Sequence, residues 1–156
     1  MRIARRLLVV FALALAGCIA QNPTLPVFAT AAPTLPPPAP GMARLFFYRL
    51  LEPSQPTLGT TVMLNEKPVG FSRNGTVLYR DVPAGGYFVS VASYPYPYQF
   101  KTVQVAAGQI WYFRIESLSS WSCVGKSSCR GDTFVVAIVD PAQARAEIAP
   151  LGLISG

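Results

Sequence analysis

Between residues 43 and 139, short runs of β-branched and aromatic residues alternate with turn sequences. The turns include Asn-Glu-Lys-Pro at 65–68, Asn-Gly at 74–75, Ala-Gly-Gly at 84–86 and Ala-Gly-Gln at 107–109. Turn signals every 8–12 residues or so are typical of β-sandwiches. No helical period separates the runs, which argues against a parallel α/β sheet. The spacing therefore predicts an all-β domain, a single β-sandwich of about seven strands.

The first and last runs differ from the others in being apolar on both faces. Residues 44–49 and 133–139 lack the alternation of a half-exposed strand, so both are predicted to be buried strands. After the last run, Asp140 and Pro141 are typical of a helix N-cap and first helical residue, and Gln143 completes a capping-box pattern. A short C-terminal helix is expected to end before Pro150.

The N-terminus has the three parts of an export signal. Three arginines fall within the first six residues, residues 7–15 are apolar, and Ala16 and Gly17 are small. Nine apolar residues are too few to cross a bilayer as a helix, which takes about 20. We therefore expect residues 1–17 to be a signal peptide cleaved between Gly17 and Cys18.

The segment Leu-Ala-Gly-Cys at 15–18 resembles the lipobox of bacterial lipoproteins. The resemblance implies that acyl chains such as palmitate are attached to Cys18, which then holds the protein on the lipid bilayer. Several acyl chains on one residue supply the stable anchoring that a single chain does not. An ordinary secretory leader followed by a chance cysteine is the alternative. Ile19 stands where some lipoproteins carry an inner-membrane retention aspartate, which by analogy favours the outer membrane facing the periplasm over the inner membrane.

Proline dominates the segment that follows Cys18. Seven of the fifteen prolines lie in residues 19–41, and proline favours extended polyproline II over helix or central strand. The segment is predicted to be a spacer of about 25 Å as a coil and about 70 Å when extended; a proline-motif docking site is the alternative. The predicted organisation is a signal peptide at 1–17, a lipidated N-terminus and tether at 18–41, and the sandwich at 42–156.

Charge argues against nucleic acid as a partner. The net charge of +6 falls to +3 without the three leader arginines, and the remaining basic residues are spread singly along the chain. Nucleic-acid binding needs them clustered on one element.

Cys123 and Cys129 remain after Cys18 is assigned to the anchor. An even number of cysteines in an oxidising compartment predicts a disulfide, here one that fixes the shape of the Ser/Gly-rich loop at 117–132. A redox pair is the alternative, although five intervening residues are too many for the usual C-x-x-C chemistry. No metal site is expected, because the chain has no histidine and two cysteines do not complete a tetrahedral shell.

Tyr94, Tyr96 and Tyr98 alternate with two prolines. Such a segment is held extended, so the rings are candidates for a ligand-binding aromatic surface that stacks on sugar rings or on a partner protein. Trp121 is a further candidate. The alternative is that the tyrosines fold back and cap the core.

No residues are arranged for catalysis in the sequence. The seven carboxylates lie mostly at turns and strand ends, no pair is singled out by its spacing, and no histidine is present to act as a base. We therefore expect neither an enzyme nor a cofactor. The expected role is that of a structural or protein-interaction module of the bacterial envelope whose partner is another envelope protein. The alternative is a carbohydrate- or peptidoglycan-binding module.

Four motifs resemble an uncharacterised family of short bacterial lipoproteins across residues 43–148. They are Arg-Leu-Phe-Phe-Tyr-Arg at 44–49, Val-Met-Leu-Asn-Glu-Lys-Pro-Val-Gly at 62–70, Val-Pro-Ala-Gly-Gly-Tyr at 82–87 and Ala-Ala-Gly-Gln-Ile-Trp-Tyr-Phe-Arg at 106–114. The resemblance implies a sandwich of the transthyretin-like, peptidase-regulatory type. It implies no catalytic residues.

Overall fold

The computed structural model describes residues 25–53, 59–93, 99–118 and 133–154, which form strands and short helices. The helices are α1 (Phe28–Ala31), followed by a 3₁₀ turn (Ala32–Thr34), and α2 (Pro141–Ile148). The strands are β1 (Met42–Arg49), β2 (Gly59–Leu64), β3 (Lys67–Arg73), β4 (Thr76–Pro83), β5 (Gly85–Ala92), β6 (Lys101–Val105), β7 (Ile110–Ser117), β8 (Phe134–Ile138) and β9 (Gly152–Leu153). The predicted all-β sandwich is confirmed. Nine strands are described where about seven were expected.

The strands form two sheets. One has five strands in the order β8-β7-β1-β4-β9, and the other has four in the order β3-β2-β5-β6. β1 pairs antiparallel with β4 but parallel with β7, which aligns Phe47 with Phe113. Between β1 and β7 the chain passes through the four-stranded sheet twice, first as β2 and β3 and then as β5 and β6. The parallel pair is therefore connected by strands and needs no connecting helix.

The main core lies between the two sheets. Phe47 and Phe113 stack there with ring centroids 5.4 Å apart, and both are fully buried. They are surrounded by aliphatic side chains from both sheets: Leu45, Val62, Leu64, Leu78, Val89, Val91, Val103, Val105, Ile115 and Val136. Alternate residues of these strands point inward, as expected for a sandwich.

A second apolar cluster covers the outer face of the five-stranded sheet. Phe46, Tyr48 and Tyr112 point outward and pack beneath α2, which contributes Ala144 and Ile148. β1 is therefore buried on both faces, as its unbroken apolar run predicts. The same prediction for residues 133–139 is wrong, because β8 is an edge strand in which Val135 and Ala137 are only partly buried and Ile138 is exposed.

The predicted cap of α2 is present. The Asp140 carboxylate accepts hydrogen bonds from the backbone N–H groups of Ala142, at 2.8 Å, and Gln143, at 3.4 Å. The Gln143 side chain does not return to the cap residue. It donates to Glu147 Oε1 at 2.8 Å instead.

The described part of the expected tether is folded onto the sandwich. Phe28 meets Phe46 edge-on with ring centroids 5.5 Å apart, and Ala31 and Leu35 join the same cluster. Backbone bonds add to this contact, including Phe28 N–H to the Leu151 carbonyl at 2.7 Å. The expectation of a spacer rested on the prolines. The structure differs because the apolar side chains between them bury area against the sheet.

This N-terminal segment runs along the sheet in the direction opposite to β1. It begins beside β9, where Val27 forms a bridge with Gly152, and it ends in a turn closed by Met42 N–H and the Ala39 carbonyl. Residues 25 and 42 therefore lie at opposite ends of the sandwich.

Candidate functional site

Four connections between strands emerge at one end of the sandwich, which we call the loop end. β1, β3, β5 and β7 finish there, and β2, β4, β6 and β8 begin there. The connections run through residues 50–58, 74–75, 93–100 and 118–133. Loops carried on a rigid sandwich end are where such folds usually place their binding residues.

Hydrogen bonds between the two sheets join the bases of these connections. Ser93 Oγ accepts from the Phe134 N–H at 3.0 Å and from Gln99 Nε2 at 2.7 Å, and Gln99 Nε2 also reaches the Phe134 carbonyl at 3.0 Å. Within the four-stranded sheet, Thr60 Oγ1 donates to the Ala92 carbonyl at 2.6 Å. The connection at 93–100 therefore starts and ends on the same point of β8.

The ligand-binding candidates of the sequence lie in two of these connections, outside the described residues. Tyr94, Tyr96 and Tyr98 fall between Ser93 and Gln99. Trp121, Cys123 and Cys129 fall between Leu118 and Thr133, whose backbones are joined by a bond of 3.0 Å. Gly17 and Cys18 also lie outside the described residues. The structure thus locates the ends of both connections, and it places these ends next to each other.

A buried cation lies beneath the loop end. Arg49 has no exposed side-chain surface, and its Cζ lies 5.0 Å from the centroid of the Phe134 ring. Its Nε is 3.6 Å from Glu52 Oε1. Asn74 holds Glu52 in place by accepting from its N–H at 2.8 Å and donating to its carbonyl at 2.9 Å. These contacts form a base that joins the connection at 50–58 to the connection at 74–75.

A cavity of about 310 Å³ opens beside this base, lined by Leu50, Leu51, Glu52 and residues 114–117. Arg114 on its wall is fully engaged: it reaches Glu116 Oε1 at 2.6 Å and Glu147 Oε1 at 2.8 Å. The Tyr48 hydroxyl donates to the other Glu147 oxygen at 2.5 Å. These groups form one network between β1, β7 and α2.

In this network the pKa of each shifted group moves further from neutral pH. Burial, and then the bond to Glu147, raise the pKa of Tyr48 far above its ordinary value. Burial alone raises the pKa of Glu147, but hydrogen bonds from Tyr48 and Gln143 and the charge of Arg114 lower it overall. A general acid or base needs a pKa near the working pH. The network is therefore suited to holding α2 on the sheet.

A second cavity, of about 430 Å³, lies between the N-terminal segment and the five-stranded sheet. Its lining is mostly apolar, including Phe28, Leu35 and Phe46. Arg44 contributes a cation, which makes two bonds of 2.7 Å to Asp81. The hydrogen bond to Asp81 raises the pKa of Arg44 despite its burial. The charge is thus already neutralised by its neighbour.

The outer face of the four-stranded sheet carries two neighbouring aromatic side chains, Phe88 in the middle of β5 and Phe100 just before β6. Phe88 and Phe100 have ring centroids 4.8 Å apart, and Phe100 is about half exposed. Phe100 directly follows Gln99 and so borders the connection that carries the three tyrosines, whereas the Phe88 backbone bonds to Asn65 in the turn after β2. Neither residue stands out in the sequence, because an aromatic residue in a strand is usually part of the core.

Within residues 25–53, 59–93, 99–118 and 133–154 no group of three or more potential metal ligands occurs. None of the helices in that part of the chain is long and apolar enough to cross a membrane. Comparison with protein-family models, with curated proteins and with solved structures finds no match to this chain.

Proposed function

We propose that the chain is a lipid-anchored protein of the bacterial cell envelope whose sandwich acts as an interaction module. In this proposal the signal peptide is removed between Gly17 and Cys18, and acylated Cys18 sits in the outer membrane facing the periplasm. The short apolar leader and the Leu-Ala-Gly-Cys segment support the anchor. The observation that carries the interaction role is the loop end, where hydrogen bonds join the bases of the four connections in two pairs.

The expected partner is another envelope protein, bound at the outer face of the four-stranded sheet around Phe88 and Phe100. Aromatic residues supply much of the contact area in protein interfaces at low entropic cost. Two cations near the loop end are paired within the molecule, Arg49 with Glu52 and Arg114 with Glu116 and Glu147. Apolar and aromatic contacts are therefore expected to dominate the interface.

Photo-crosslinking in living cells tests this role. A photoreactive amino acid at Phe100 should capture a specific envelope protein, whereas the same probe at Ala107, in the exposed turn at the opposite end, should not. Equal capture from both positions, or capture from Ala107 alone, would count against the proposed interface. Cells expressing Cys18→Ser show whether capture depends on the anchor.

The alternative is a carbohydrate- or peptidoglycan-binding module that uses Tyr94, Tyr96, Tyr98 and Trp121. The hydrogen-bonded ends of the connection, Ser93 and Gln99, favour it, since sugar stacking needs aromatic rings on a fixed support. Purified sacculi should retain the wild-type protein more strongly than Tyr96→Ala. Equal retention of both would reject this alternative.

A disulfide between Cys123 and Cys129 completes the proposal. The hydrogen bond between Leu118 and Thr133 closes the connection at its base, and the disulfide would close a second, smaller ring within it. A ring this short contributes about 2 kcal/mol by the chain-entropy argument. The oxidising periplasm is the compartment in which such a bond persists.

A further inference from the structure

Leu25, the first described residue, lies at the loop end. This position determines which end of an anchored molecule is held nearest to the membrane. Leu25 packs so closely against Gly152 that a Cβ atom added to Gly152 would lie only 3.0 Å from Leu25 Cβ. The next residue, Pro26, accepts from Leu153 N–H at 2.7 Å, and Gly152 N–H donates to the Gly75 carbonyl at 3.0 Å. Gly75 belongs to the turn between β3 and β4. The N-terminal segment is thus fixed to the loop end before it crosses the sheet.

The linker between the anchor and this point is short. Six residues, 19–24, separate Cys18 from Leu25. Fully extended, the seven steps from the Cys18 Cα to the Leu25 Cα reach about 25 Å, since a chain spans at most about 3.3–3.6 Å per residue. A spacer that stayed free up to Met42 would reach about 70 Å. If Cys18 is acylated, as proposed above, the loop end is the part of the domain held nearest to the bilayer.

Exposed apolar side chains gather where the linker leaves the domain. The exposed fractions are 40% for Leu25, 45% for Val27 and 67% for Leu51. Leu51 packs on Gly75, where a Cβ would lie 3.1 Å from Leu51 Cδ1, while Leu25 packs on the adjoining Gly152. Arg73, also exposed, precedes the same turn. These four residues form what we call the anchor-side patch.

We propose that the anchor-side patch contacts the bilayer surface and holds the acylated protein in one orientation, with its loop end towards the membrane. Leu25, Val27 and Leu51 enter the boundary between headgroups and acyl chains, and Arg73 binds lipid phosphate. Among the residues that the structure describes, the patch offers three exposed apolar side chains. They are sufficient beside a linker that keeps the patch near the lipid at high effective concentration.

Fluorescence quenching on vesicles tests the orientation. Full-length mature protein carrying acylated Cys18 is reconstituted into vesicles of phosphatidylethanolamine and phosphatidylglycerol in a ratio of about three to one. A fluorescent amino acid replaces Leu51 or, as the matched control, the exposed residue Ala107 at the opposite end. Lipid-borne nitroxide should quench the probe at position 51 about fivefold more than at 107, because membrane contact buries a patch by about 5–10 Å. Equal quenching at both positions would overturn the proposal.

A charge-reversal pair adds a second test that does not depend on the apolar residues. Arg73→Glu should reduce quenching at position 51 severalfold, whereas Lys67→Glu, an equal charge change at the opposite end of β3, should leave it unchanged. Equal effects of both variants would contradict a local phosphate contact.

The outcomes separate this inference from the proposed function. Absence of acyl chains on Cys18 would remove the anchor and the orientation together. Acylated protein that stays on the vesicles but is quenched equally at both ends would overturn the orientation alone. A probe at position 51 that escapes lipid quenching, yet is shielded from aqueous iodide in native membranes, would assign the patch to a protein partner and reject the bilayer.

Discussion

Replacing Phe28 with alanine tests whether the N-terminal segment belongs to the folded domain. The Phe28 ring is mostly buried and meets Phe46 edge-on at 5.5 Å. Burying such a side chain contributes about 1.5 kcal/mol at the low end of the usual range. The edge-to-face contact adds about 0.5 kcal/mol. Phe28→Ala should therefore lower the free energy of unfolding by about 2 kcal/mol.

Urea unfolding of the chain from residue 18 onward, with Cys18→Ser to keep it unacylated, measures this difference. Thr30→Ala is the matched control, because Thr30 lies in the same helix but is exposed, and it should change stability by less than about 0.5 kcal/mol. Equal stability of the two variants would refute the argument. It would mean that residues 25–38 behave as a free spacer, and the short linker and the membrane orientation would then lose their basis.

Three further predictions concern the helix, the ionic network and the disulfide. Asp140→Ala should destabilise the domain by about 1 kcal/mol while Asp140→Asn restores most of it, because either polar side chain caps α2; urea unfolding of both variants decides. Glu147→Gln should cost about 1–2 kcal/mol at pH 7, since the bonds that Glu147 makes to Tyr48 and Arg114 are charge-assisted. The folded-state pKa of Glu147 is lowered, so its contribution is present above about pH 4.5 and is lost as the pH falls through the folded value; an equal difference at pH 7 and pH 3 would contradict this. Reduction should shift the electrophoretic mobility of the wild type, and Cys123→Ser, which leaves Cys129 single, should show no shift.

Local sequence patterns predicted those elements whose cause is local. The unbroken apolar run of β1 indicated burial on both faces, and the Asp140 cap followed from side-chain chemistry within one turn. The hairpin after β2 also followed from its turn residues, where Asn65 and Glu66 both adopt the positive φ that a tight hairpin turn requires.

Features that depend on distant partners were not predictable in this way. β9 has only two residues, and it exists because β4 offers an open edge to Gly152 and Leu153. α1 forms because Phe28 finds the outer face of β1, which no local pattern reveals. The prolines predict an extended segment. The three apolar residues that pack on the sheet, Phe28, Ala31 and Leu35, form no local pattern that would indicate this contact.

The candidate site was predictable only in its residue types. The tyrosines, Trp121 and the two cysteines were found because their sequence patterns are unusual. That their connections share one end of the sandwich follows from strand order, which the sequence does not display. The sequence does not reveal the buried Arg49 or the Arg114 network, because charged side chains usually face solvent and the partners that bury these two are distant or lie on another element.

The most direct test of the lipid anchor is the mass of the N-terminal peptide of the mature protein purified from membranes. We expect a peptide that begins at Cys18 and carries the added mass of its acyl chains, and we expect Cys18→Ser to abolish both the cleavage and the added mass. A wild-type peptide that begins at another residue, or an unmodified Cys18, would contradict the account.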